Sequence, residues 1–65
     1  MSSFTTDEQT FYLACWRDTL DQLNDSTDAD IIQACKDHLT YMKSFTWFTN
    51  GITAAELTEI NTALT

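Results

Sequence analysis

The chain has 65 residues, with three basic side chains against ten acidic ones, one glycine, no proline and a formal charge of −7. That balance excludes nucleic acid and an anionic membrane as direct partners, because binding either requires clustered Lys and Arg. Length and a hydrophobic fraction of 43% indicate a single small acidic domain over residues 1–65 rather than a disordered acidic tail.

The first helix is expected over about residues 6–23. Thr5 and Glu8 have capping-box spacing, and Asp7 and Glu8 suit the positive end of the helix dipole. At about 100° per residue, Tyr12, Leu13, Trp16, Leu20 and Leu23 share one face. The apolar run Phe11 to Trp16 is shorter than the ~20 residues a membrane span needs, so no membrane partner is expected.

After a short turn, a second helix is expected over about residues 28–49, with Ser26 or Thr27 as its cap and Asp28 and Asp30 in its first turn. Ile31, Cys35, His38, Leu39, Met42 and Phe45 fall on one face, the core-facing one. Asn50-Gly51 reads as the stop signal, and a left-handed Gly51 would fold Ile52 back on Trp47. A competing reading makes Asn50-Gly51 a hairpin turn, since the preceding Phe45-Thr46-Trp47-Phe48-Thr49 has strand-like composition. The third helix, about residues 53–64, opens with a Thr53/Glu56 capping box, Ile52 and Leu57 holding the staple positions. Leu57, Ile60 and Leu64 continue one stripe. The expected fold is therefore all-α, a small antiparallel bundle of three amphipathic helices.

Most catalytic chemistry fails on inspection of the residues. Catalysis based on histidine depends on His38 alone, with Cys35 three residues earlier on the same face. Both are expected in the core, Cys35 packed and His38 hydrogen-bonded, where such groups are inert. A structural zinc needs four N or S ligands, and Cys15 is the only other soft ligand. An EF-hand starting at Asn24 puts Ala29 where the loop needs glycine and Cys35 where it needs glutamate. One glycine builds neither a phosphate loop nor a dinucleotide fingerprint. No enzyme activity, metal or cofactor is implied. The Met-Ser-Ser start carries no basic n-region, and the two cysteines sit at different helical phases, so reduced thiols in the cytoplasm are expected.

The acidic residues divide into two sets. Asp7, Glu8, Asp28, Asp30, Glu56 and Glu59 are assigned to opening turns of helices, where anions are favoured. Asp18, Asp21 and Asp25 recur at i, i+3 and i+7 near the C-terminus of the first helix, the unfavourable end, and no Lys or Arg occurs between Asp18 and Asp30. Phe11 and Cys15 fall near this stripe, with Phe4 just before it, either packed under the third helix or forming an apolar patch rimmed by carboxylates.

The expected partner surface comprises Asp18, Asp21, Asp25, Asp28, Asp30 and Phe11. It suits a non-catalytic module that binds, and inhibits, a basic protein whose groove otherwise grips nucleic acid. The alternative is a self-associating structural or accessory subunit, a homo-oligomer anchored by Phe11, Trp47 and Phe48.

Overall fold

The computed structural model describes residues 3–65. Among them every regular element is helical: α1 is Thr6–Asp25, α2 is Ala29–Lys43, α3 is Thr46–Asn50 and α4 is Ala54–Leu64. The all-helical expectation holds, but the helices number four, not three.

Both expected capping boxes form. Thr5 Oγ1 accepts the Glu8 N–H at 3.2 Å and Glu8 Oε1 accepts the Thr5 N–H at 2.8 Å. Thr53 and Glu56 repeat the arrangement at 3.1 and 2.8 Å. The cap of α2 is a correction: Asp28 itself accepts from Asp30 N–H at 2.9 Å and Ile31 N–H at 3.4 Å. Ser26, one of the two expected caps, instead accepts the Asp28 N–H at 3.2 Å.

The second correction is the break within the expected 28–49 helix. The N–H groups of Ser44 and Phe45 reach the carbonyls of Tyr41 and Met42, each at 3.1 Å, which tightens the last turn of α2. The Ser44 hydroxyl donates to the Tyr41 carbonyl at 2.6 Å, occupying an acceptor at the helix end. Phe45 then turns extended (φ −98°, ψ 128°) and its carbonyl receives the N–H groups of Phe48 and Thr49, starting α3. The bend brings Phe45 and Trp47 to Phe4, with ring centroids at 5.1 and 5.4 Å. Phe4 also meets Tyr12 edge-on at 5.2 Å, so Phe4 sits in an aromatic cluster rather than beside the acidic stripe.

Asn50-Gly51 ends α3 and turns no hairpin, since α3 precedes it and α4 follows. Gly51 is right-handed (φ −85°, ψ −5°), so the left-handed geometry that would fold Ile52 back is not adopted. Space explains the glycine: a Cβ there would lie 2.6 Å from Leu13 Cδ2, 2.8 Å from Leu13 Cδ1 and 3.1 Å from the Trp47 carbonyl oxygen.

The core is Trp16, Leu20, Leu23, Cys35, Leu39, Met42, Phe48 and Ile60, so each helix contributes to it. Tyr12 lies 5.7 Å from His38 between ring centroids, which sets α1 and α2 antiparallel. Phe48 is fully buried and meets Trp16 nearly perpendicularly at 6.3 Å. Ile31, expected in the core, is 38% exposed, and its neighbour Ile32 packs against the core instead. Threonine hydroxyls on exposed positions bond back into their own helices, as Thr10 does to Thr6 and Thr58 to Ala54.

Candidate protein-interaction surface

Five acidic side chains are occupied by structural bonds. Glu8 and Glu56 close capping boxes, and Asp28 caps α2. Asp37 accepts from Gln33 Nε2 at 2.8 Å. Glu59, assigned from the sequence to a helix opening, lies beyond the first turn of α4 and instead binds Arg17 of α1. Nη1 reaches Oε2 at 2.7 Å and Nη2 reaches Oε1 at 3.3 Å. Glu56 Oε2 stands 3.8 Å from the same guanidinium, which also lies 4.7 Å above the Trp16 ring.

The Arg17–Glu59 hydrogen bond raises the Arg17 pKa above its ordinary value, with a smaller Coulombic contribution from Asp21. The same bond holds the Glu59 carboxyl below its ordinary value.

Asp18, Asp21 and Asp25 are all exposed, and none makes an ion pair or side-chain hydrogen bond among the described residues. The last turn of α1 carries no basic residue to offset them. Going round α1 at about 100° per residue, the order is Leu20, Asn24, Arg17, Asp21, Asp25, Asp18 and Phe11. Phe11 lies on the edge of the acidic stripe, 61% exposed. It is not covered by α4, and its ring meets only that of Tyr12 among the aromatic pairs, at 5.3 Å. Cys15 is half-buried and Cys35 buried, both as free thiols.

Asp28 and Asp30 stand at the start of α2, across the turn from Asp25. Asp28 is committed to its cap, whereas Asp30 is exposed in the first turn without a side-chain partner among the described residues. The carboxylates form a dispersed field: among the described residues no three His, Cys, Asp or Glu side chains are grouped to hold a metal ion. His38 is half-buried beside Tyr12 and, contrary to expectation, makes no side-chain hydrogen bond among the described residues.

The aromatic anchors expected for self-association are mostly used internally. Phe48 is fully buried, and Trp47 is half-buried against Phe45 and the core. Of the three, Phe11 alone is exposed. The structure adds Tyr41, 55% exposed, to the outer aromatic surface. It also reveals a groove of about 410 Å³ between α1 and α4, lined by Leu20, Asn24, Thr58, Glu59, Thr62 and Ala63. No periodicity argument reaches this groove, because it depends on how far apart two helices sit.

Among the described residues no helix is long and apolar enough to cross a membrane. The chain matches no family model, no curated protein and no solved structure.

Proposed function

We propose that this protein is a non-catalytic interaction module that offers the acidic face of α1 to a basic, nucleic-acid-binding protein and competes with nucleic acid for it. One observation carries this reading: Asp18, Asp21 and Asp25 stay exposed and unpaired among the described residues, at the helix end where carboxylates are disfavoured. Caps and the Arg17 pair occupy Glu8, Asp28, Glu56 and Glu59. Arg17 offsets Asp21 only in part, since Glu59 already binds it, and local rules broken with so little compensation are where function is expected. The three Asp span roughly 10 Å of helix at 1.5 Å per residue, a sparse counterpart of a phosphate backbone. Exposed Phe11 adds an apolar contact at one edge. Free Cys15 and Cys35 suit a reducing compartment, and we assign the protein to the cytoplasm.

The experiment is capture of partners from a nuclease-treated lysate by the wild-type chain and by the Asp18→Asn/Asp21→Asn/Asp25→Asn variant, washed at low and high salt. The reading requires a basic partner that is lost at high salt, lost with the variant and released by added duplex DNA. A partner retained equally by the variant, or recovery of the chain alone, overturns it.

A further inference from the structure

We infer that the groove between α1 and α4 receives one apolar side chain of an amphipathic basic helix, whose flanking Lys or Arg residues reach Asp21 and Asp25. This inference rests on the acidic-face reading above and names the shape of the partner segment.

The groove floor is apolar. Leu20 is 1% exposed, and Ala63 packs against the core on the opposite wall. Its walls carry Asn24, Thr58, Glu59 and Thr62, which leaves the mouth polar and open to solvent. The groove is an open surface furrow, and its volume of about 410 Å³ leaves room for a side chain laid into it from outside. Two helices with a seam between them accept a third helix through an anchor side chain set into that seam.

Charge selects the occupant. Leaving the groove round α1, Asn24 is followed about 60° further by Asp21 and about 100° further by Asp25. One rim of the seam is therefore acidic. The cation beside it, Arg17, is already bound by Glu59 and approached by Glu56 at 3.8 Å, so its attraction for Asp21 offsets the rim only in part. A polar-walled groove with an apolar floor, bordered on one side by the exposed carboxylates of Asp21 and Asp25, complements a helix that sets one apolar side chain between flanking basic residues.

The test uses the whole chain, isotope-labelled, titrated with a synthetic amphipathic helix of Leu and Lys and with its Leu→Ala counterpart of equal charge. The expected result is perturbation of the Leu20, Asn24, Thr58, Thr62 and Ala63 amides, and at least tenfold weaker binding of the Leu→Ala peptide. Thr62→Trp, which fills the slot, and Thr58→Lys, which places a like charge in it, each weaken the Leu/Lys peptide at least tenfold. Both positions are exposed, so helicity by circular dichroism is preserved. Equal binding of the two peptides, perturbation confined to Phe4 and Tyr41, or a change below twofold in both variants overturns the groove. If binding then still depends on Asp18, Asp21 and Asp25, the acidic-face reading stands alone; if the triple Asn variant binds undiminished, both fall.

Discussion

Arg17 of α1 and Glu59 of α4 meet through two hydrogen bonds, at 2.7 and 3.3 Å, across 42 residues of sequence. With Glu56 at 3.8 Å from the same guanidinium, the pair makes a charged contact between the last helix and the first at the surface. The bond lowers the Glu59 pKa, so its stabilisation is fully present above the unfolded glutamate value and is lost as pH falls through the lower folded value. Glu59→Gln is therefore expected to melt below wild type at neutral pH. The two melting temperatures should converge at acidic pH, once Glu59 is protonated in both states. Thermal scans by circular dichroism at neutral and acidic pH check this, and a gap independent of pH would remove the ion pair as its cause.

Phe48 and Phe11 make the opposite pair. Phe48 has no exposed surface and touches Trp16 and Trp47, so Phe48→Ala is expected to cost about 3–5 kcal/mol. A loss of that size consumes most of the stability of so small a domain, and the variant should be largely unfolded at room temperature. Phe11, 61% exposed, should change stability by less than about 0.5 kcal/mol on conversion to alanine. Urea unfolding of both variants gives the comparison; a strongly destabilised Phe11→Ala would mean that its ring is buried in solution.

Asp28 separates a cap from a contact. Its carboxylate accepts two backbone N–H groups at the start of α2, so Asp28→Ala is expected to cost about 0.5–2 kcal/mol. Asp28→Asn keeps an acceptor oxygen at the same place and should retain most of the stability. Binding of a basic partner should respond to Asp28→Asn less than to Asp21→Asn. Equal loss of affinity for the two, measured by calorimetry, would put Asp28 in the contact surface as well as in the cap.

How far the sequence spoke for the structure depends on whether the cause was local. Thr5/Glu8 and Thr53/Glu56 were legible because a capping box is closed by residues three apart. The break at Ser44 and Phe45 was not, because neither proline nor glycine marks it and the apolar periodicity runs on through Phe45. Ser44 ends the last turn locally by bonding the Tyr41 carbonyl, and the bend that follows is fixed by tertiary contacts of Phe45 and Trp47 with Phe4, far back in the chain. The acidic stripe was legible as an angular pattern on one helix. The groove beside it, and the pairing that takes Glu59 away from the acidic surplus, arise only when α4 is laid against α1.

Gly51 offers the sharpest check of the packing. Its backbone is right-handed, so alanine has no conformational penalty there, and any cost of Gly51→Ala comes from the Leu13 methyl groups at 2.6 and 2.8 Å and the Trp47 carbonyl oxygen at 3.1 Å. The two closest atoms are terminal methyls of Leu13, a half-buried side chain packed against the core, so how far that side chain can turn aside sets the cost. Overpacking of this kind costs about 1–3 kcal/mol. Shortening Leu13 to alanine removes the clash, so Gly51→Ala should cost less in the Leu13→Ala background than in wild type. Residues in contact couple by about 0.5–3 kcal/mol, which a double-mutant cycle of urea unfolding resolves. Additive costs would mean that Leu13 does not set the cost of alanine at Gly51, and a stabilising Gly51→Ala would mean that the close approach is absent and only the lower unfolded-state entropy of alanine is felt.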